Sequence, residues 1–297
     1  MAATRTLKSP PGAGSLYPRA VFGTFALPLL RKVPVLGPKA PKGLPDLELA
    51  LDQVTIDPAH VADYARVCGF DLRDELPATY LHNVAFPLAM ALMTDSSFPF
   101  GVIGLVHLEN RIEQRRPVRV GEKPSVRVRA ANLRDHSAGR QFDVIAEATI
   151  DGEVVWVDTS TYLRRGGGTG KKEGGKKEER PTPPEPEAIW DVPGDIGRKF
   201  GAVSGDRNPI HIHPLTAKAL GMPTAIAHGM WLKARCLAAL ERHLPDAFTI
   251  EVRFKKPVLL PAKVGFSTER RKDGIDFALW GVRKQVPHLE GSVTFHS

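Results

Sequence analysis

The sequence predicts an α+β chain of two tandem units, each an antiparallel sheet wrapped around a helix. Three observations carry this. A central stretch cannot bury apolar surface, the same order of helical and strand signals lies on either side of it, and two short matches link the halves. At 297 residues the chain exceeds the usual single-domain length, so two domains are the first expectation.

Residues 166–188 read GGGTGKKEGGKKEERPTPPEPEA, a glycine run followed by mixed Lys and Glu and then spaced prolines. Such a segment is predicted to be a solvated connector. It divides the chain into a basic, Pro-rich tail (1–45), a first unit (46–165), the connector (166–188) and a second unit (189–297). In the first unit, Pro58–Cys68 and Val84–Met93 carry helical signals, and strand-like runs follow at Val126–Ala130, Phe142–Ile150 and Val154–Leu163. In the second, Met230, Ala234, Leu237, Leu240 and Leu244 have the spacing of a helix with one buried face. Phe248, Ile250, Val252 and Phe254 then alternate with polar residues and fall on one sheet face. Val264 and Phe266 continue the pattern, as do Ile275, Phe277 and Leu279, with a last strand over Leu289–Phe295.

The halves also match locally. Pro77-Ala-Thr-Tyr-Leu-His82 parallels Pro223-Thr-Ala-Ile-Ala-His228, and Arg116-Pro117-Val118 parallels Lys256-Pro257-Val258. Two matches in the same order point to duplication.

Composition narrows the function class. Hydrophobic residues make up 42% and charged residues 25%, which is ordinary for a globular domain. The formal charge is +8, but seven cations (Arg5, Lys8, Arg19, Arg31, Lys32, Lys39, Lys42) precede the first acidic residue, Asp46. Nearly all the excess sits in the tail, which argues against a nucleic-acid surface spread over a folded face. The apolar stretch Ala20–Leu30 is broken by Gly23 and Pro28 and falls short of the ~20 residues that cross a bilayer. A tail packed on the protein surface is expected, with a membrane-surface or partner segment as the alternative. Cys68 and Cys236 match no metal or redox spacing and suit a reducing, cytoplasmic setting.

The chemistry concentrates in Phe200-Gly-Ala-Val-Ser-Gly-Asp-Arg-Asn-Pro-Ile-His-Ile-His-Pro214. Asp206, Asn208 and His211 lie within six residues, in a stretch expected to be irregular. Pro209 favours an extended Asn208, and Pro214 suits the first turn of a new helix. A carboxylate and an imidazole on a rigid loop can hold one water between them, one accepting a proton as the other donates. Gly229, at the start of the long helix, offers a backbone N–H where the helix dipole favours negative charge. A thioester carbonyl placed there gains stabilisation as it becomes enolate-like. Asp-x-Asn-Pro by itself also reads as a turn, and His211 with His213 as a metal site. The latter has no cysteine and few nearby carboxylates to complete a ligand set. His82 and His107 have no Asp-x-Asn-Pro-x-His context and are read as structural. Lys233, Arg235, Arg253, Lys255 and Lys256 are candidates to meet carrier phosphates or to stand solvated.

The ordered run Ser204-Gly-Asp206-Arg-Asn208-Pro209-Ile-His211, Ala-Leu-Gly-Met-Pro, Ile-Ala-His228-Gly229-Met230 resembles the signature of the MaoC-like, hydratase 2 family of (R)-specific enoyl-CoA hydratases. The resemblance covers residues 189–297. The first half resembles, more loosely, the non-catalytic partner domain of double hot-dog members, including mycobacterial (R)-3-hydroxyacyl dehydratases. It implies a double hot-dog fold and an acid/base pair of Asp206 and His211. It further implies that Asn208 fixes their geometry and that the amide of Gly229 serves as the oxyanion donor. Where several hydratases carry a serine after His-Gly-Met, this chain has Trp231-Leu-Lys-Ala234, so its acyl pocket is expected to differ.

The resulting expectation is one active site per chain. Cys68-Gly-Phe-Asp71-Leu-Arg-Asp74 in the first half lacks the Asn-Pro-x-His that follows Asp206. The expected reaction is (R)-specific hydration of a trans-2-enoyl-CoA, or the reverse dehydration, in fatty-acid or related acyl metabolism. It requires no metal and no cofactor beyond coenzyme A or acyl carrier protein as part of the substrate, and no nucleic acid. Alternatives are an acyl-carrier-protein dehydratase of fatty-acid or polyketide synthesis, a hot-dog thioesterase, and a non-enzymatic acyl-thioester-binding subunit. Further pairing into a homodimer is compatible with all of them.

Overall fold

A computed structural model describes residues 3–12, 16, 18–20, 43–166 and 182–296. In chain order the elements are β1 (Ala3–Thr6), β2 (Leu47–Leu51), α1 (Pro58–Cys68), α2 (Tyr80–Met93) and β3 (Leu105–Gln114). Three strands follow, β4 (Ser125–His136), β5 (Gly139–Ile150) and β6 (Glu153–Arg165). After the connector come β7 (Ala188–Val192), α3 (Ile196–Ser204), the single turn α4 (Pro209–Ile212), α5 (Pro214–Ala219) and α6 (Gly229–Leu240). The chain closes with β8 (Phe248–Phe254), β9 (Ala262–Arg271), β10 (Gly274–Gly281) and β11 (Pro287–Phe295). The order β2-α1-α2-β3-β4-β5-β6 therefore recurs as β7-α3-α6-β8-β9-β10-β11, with α4 and α5 as the extra elements of the second pass. The element order supports the expected duplication.

Two compact units form. One comprises residues 1–54, 84–108 and 123–176, the other 55–83, 109–122 and 177–297. In the first, the strand order is β1-β2-β4-β5-β6. β1 runs parallel to β2, with Ala3 opposite Leu47, and the other pairs are antiparallel. Part of the basic tail is thus an exposed edge strand, while Val21–Lys42, with most of the apolar stretch, lies outside the described residues. The central helix α2 is apolar from Val84 to Met93, with Leu88 and Leu92 fully buried.

In the second unit, Glu109–Gln114 of β3 opens an antiparallel series β3-β8-β11-β10-β9-β7. The alternation read for β8 holds on the inward face, where Phe248, Ile250 and Val252 are buried. Thr249 is buried as well, so the first turn of the strand is covered on both faces. The connector's last residues are ordered by this sheet: Glu187 accepts from the backbone N–H and the hydroxyl of Thr268.

The helix α6 departs from the one-faced expectation. Met230, Trp231, Leu232, Ala234, Cys236, Leu237 and Leu240 are all buried, and Leu244 lies beyond its end. The helix is enclosed because other elements take its remaining faces. Trp231 Nε1 donates to the carbonyl of Val67 in α1 at 3.0 Å. The Arg235 guanidinium lies 4.4 Å over the ring of Trp190.

Lys233 is the notable case. It is fully buried, and its Nζ donates to Asn110 Oδ1 at 2.5 Å, to the Asn110 carbonyl at 3.2 Å and to the Ile250 carbonyl at 3.1 Å. Three acceptors need three hydrogens, so the amine is the ammonium form. It ties α6 to β3 and β8 and is removed from any carrier phosphate, contrary to the surface role considered above. Arg253 and Lys255 are engaged with Glu109 (3.1 Å) and Glu290 (2.7 Å), and Lys256 is exposed.

Replacing Lys233 by alanine should strip three buried acceptors of their donor and leave a cavity, at a cost of about 3–5 kcal/mol. Lys233→Met, which keeps the volume, should cost clearly less. Urea denaturation midpoints of the two variants check both statements, and equal midpoints would contradict them.

Candidate active site

The site is built on a helix whose one side carries no side chains. Gly197 and Gly201, one turn apart on α3, face the chain that follows. A Cβ on Gly197 would collide with the carbonyl of His211, and one on Gly201 would stand 2.8 Å from the carbonyl of Asp206. The two glycines let the site backbone lie directly on α3. Beside them on α3, buried Phe200 lies against the rings of Tyr64 and His228.

Gly205 ends α3 in the left-handed region (φ 77°), the usual stop for a helix. The next residues are held by short-range hydrogen bonds. The N–H of Asp206 donates to Ser204 Oγ at 3.2 Å, and the N–H of Asn208 donates to Asp206 Oδ1 at 3.1 Å. Asn208, extended at φ −55° and ψ 125°, then caps α4 by accepting from the N–H of Ile210. Pro209 occupies the first helical position of that turn. The stretch expected to be irregular is thus a loop of four residues between the end of α3 and one helical turn. His211 sits on that turn, and His213 caps α5 by accepting from the N–H of Leu215. Asn208 therefore braces both partners, its N–H fixing Asp206 and its side chain fixing the turn that bears His211.

His211 Nδ1 lies 2.9 Å from the carbonyl oxygen of Ile226. A carbonyl only accepts, so Nδ1 carries the proton and Nε2 keeps its lone pair. His228, which caps the N-terminus of α6, stacks on His211 with ring centroids 3.7 Å apart. By the same reasoning its Nε2–H donates to the carbonyl of Asp206 at 3.0 Å, and it stands 3.7 Å from Asp206 Oδ2. His228 is the participant that spacing arguments missed. The signal was present, because Pro223-x4-His228 repeats Pro77-x4-His82, and His82 also acts on the charge of Asp206. The structural reading of His82 is therefore incomplete, whereas His107 does stack on Tyr162 as a structural residue would.

Electrostatics sort the three groups. Burial opposes the charge of Asp206. The His228 and His211 imidazoles, the Asn208 N–H and His82 outweigh it and hold the carboxyl below its usual range. Burial lowers His211 more than Asp206 and the Ile226 carbonyl raise it. Burial, reinforced by His211, pushes His228 down to about 3. At neutral pH the site is one carboxylate beside two neutral imidazoles.

Asp206, His211 and His228 could each offer a ligand atom within 4.8 Å of the others. Each ring has one nitrogen protonated toward a carbonyl, which leaves a single lone pair per imidazole. The Asp206 carboxylate is partly exposed, and Nε2 of His211 carries the lone pair of that ring.

Gly229 is the first residue of α6, as expected. The side on which its Cβ would stand is filled by the ring of Phe254, 2.9 Å away, so close aromatic packing requires glycine here. In the first half, Asp71 and Asp74 are held in ion pairs with Arg242 (3.3 Å) and Arg119 (3.0 Å). They assemble no counterpart of the Asp206 and His211 pair.

Comparison with known proteins identifies the family. Residues 178–290 match the MaoC like domain family. The chain is 39% identical to 3-hydroxyacyl-thioester dehydratase X of Mycobacterium tuberculosis (strain ATCC 25618 / H37Rv) over 252 residues, 84% of this chain and 90% of that protein. The crystal structure of HtdX of Mycobacterium tuberculosis matches with a TM-score of 0.74 at 38% identity, covering 83% of this chain and 98% of that one. A MaoC-like dehydratase from Phytophthora Capsici, at 18% identity, shares the fold with a TM-score of 0.69 over 84% of this chain and 95% of its own. These matches establish the α+β hot-dog architecture expected from the sequence. By its sequence match and its fold, the chain belongs to the MaoC-like dehydratase family.

Proposed function

We propose that the protein is a hydro-lyase that interconverts a trans-2-enoyl thioester and the (R)-3-hydroxyacyl thioester, using Asp206 and His211 as the acid/base pair. The observation that carries this reading is the pairing of an ionised carboxylate with an imidazole whose tautomer is fixed, so that Nε2 accepts a proton. The family membership and the activity in the name of the Mycobacterium tuberculosis relative support it.

In the hydration direction, a water between the two groups donates one hydrogen to Asp206 and the other to His211 Nε2. As its oxygen bonds to the β-carbon, one proton passes to the pair and the π electrons move toward the thioester carbonyl. The N–H of Gly229, at the positive end of α6, meets the developing oxyanion. The proton returns to the α-carbon from the same side, which gives syn addition. One O–H bond and one π bond break while C–O and C–H bonds form. No electrons leave the substrate, so the reaction needs no redox cofactor, and coenzyme A or acyl carrier protein enters as the thiol part of the substrate.

In this reading 189–297 is the catalytic hot-dog domain and 46–165 its supporting partner, joined by 166–188. The buried, free Cys68 and Cys236 suit a reducing compartment such as the cytoplasm. No described helix is long and apolar enough to cross a membrane.

Asp206→Asn and His211→Ala, each folded by circular dichroism, should lower the hydration of crotonyl-CoA or longer enoyl-CoAs by about 10²- to 10⁴-fold. The loss of conjugated-enoyl absorbance reports it. A thiol-detecting reagent should register nothing with saturated acyl-CoA, whereas thiol release would favour a thioesterase. The pH profile follows from the lowered His211. Its neutral form is the active base and persists below the ordinary histidine value of about 6.5. The rate should therefore stay level as pH falls from 8 through 6.5 and decline only below that. A midpoint at or above 6.5 in kcat/KM contradicts the assignment.

A further inference from the structure

We propose that His228 is a positioning residue for the Asp206 and His211 pair, fixing the backbone of one and the ring plane of the other. The proposal rests on the acid/base reading above and deepens it.

Four observations carry it. His228 Nε2–H holds the carbonyl of Asp206 at 3.0 Å, so the residue that bears the carboxylate is pinned from the start of α6 as well as from α3. The ring of His228 lies against that of His211 at 3.7 Å and 25°, which leaves His211 little freedom to rotate away from the Ile226 carbonyl. His228 is 3% exposed, and its Nδ1 finds no hydrogen-bond partner among the described residues. A buried nitrogen without a partner is costly, and an aromatic hydrocarbon would fill the same space without that cost. The retained imidazole is explained by what its other nitrogen does. Finally, His228 immediately precedes Gly229, so one residue links the acid/base pair to the N–H assigned to the oxyanion.

Neutrality is part of the role. Were His228 to protonate, two stacked cations would face each other when His211 took up a proton, and Nδ1–H would have no acceptor. Kept neutral, it presents a π face to His211 in the step where that ring becomes cationic. The titratable groups around it are Asp206 from the loop and His211 from α4, with His82 of α2 acting on Asp206 and, beyond Phe200, Tyr64 from α1.

Two variants separate the contributions. His228→Phe keeps a stacked ring and loses the donor, while His228→Gln keeps a donor and loses the ring. Each is assayed on an enoyl-CoA that the wild type hydrates, beside Asp206→Asn. For His228→Phe, turnover should drop at least tenfold while KM changes by less than threefold, and His228→Gln should recover part of the loss. The acidic limb of the kcat/KM profile should also move, because His211 has lost its neutral neighbour. Wild-type turnover and an unchanged pH profile in folded His228→Phe would overturn the proposal while leaving the acid/base reading intact. An inert wild type would instead sink the acid/base reading. Should either variant fail to fold, ¹⁵N imidazole spectra of the wild-type protein decide. His228 should remain the neutral Nε2–H tautomer from pH 8 to pH 5, and an imidazolium signal for His228 at pH 6 would overturn the proposal.

Discussion

The three hydrogen bonds of the buried Lys233 ammonium hold the second unit to its purpose. Burying a charge is expensive unless every hydrogen finds an acceptor. Asn110 and Ile250 supply the acceptors from two neighbouring strands, β3 and β8. The requirement works as a constraint on register: α6 can lie on the sheet in only one rotation and at one height. Its N-terminus, with His228 and Gly229, is thereby delivered to one place. Strand β8 makes the same point from the other side, because its Phe254 fills the space that a side chain at position 229 would need.

Around that fixed terminus the site is assembled almost entirely by main chain. Carbonyls of Ile226 and Asp206 set the tautomers of His211 and His228, and the N–H of Asn208 orients the carboxylate. Backbone groups are strong hydrogen-bonding partners that a fold must place somewhere. Using them keeps the side chains of Asp206 and His211 from being spent on holding the backbone. The smooth side of α3 makes this compactness possible, since the two glycines let the Asp206 and His211 backbone approach closer than any other residue would allow.

Asp206, Asn208, His211 and Gly229 were legible because their chemistry is local: a carboxylate, an amide and an imidazole within six residues, then a glycine before an apolar run. The strands β8 to β11 were legible because a half-buried strand writes its two faces into a period of two. His228 was not, because a histidine beside a helix start announces neither its burial nor its stacking partner. Lys233 was misread for a related reason. Its type suggests solvent, and only the acceptors on β3 and β8 make a buried ammonium tolerable.

By itself, the sequence determined the α+β class, the duplicated order of elements, and the stretch on which the acid/base proposal rests, since each depends on short-range spacing and side-chain chemistry. Tertiary structure decided that α6 is enclosed instead of amphipathic, and that residues 55–83 and 109–122 pack with the second unit. It also decided that two histidines far apart in the motif share one stack. These are outcomes of contacts between distant segments, and burial, tautomer and charge state are properties of the surroundings that such contacts create.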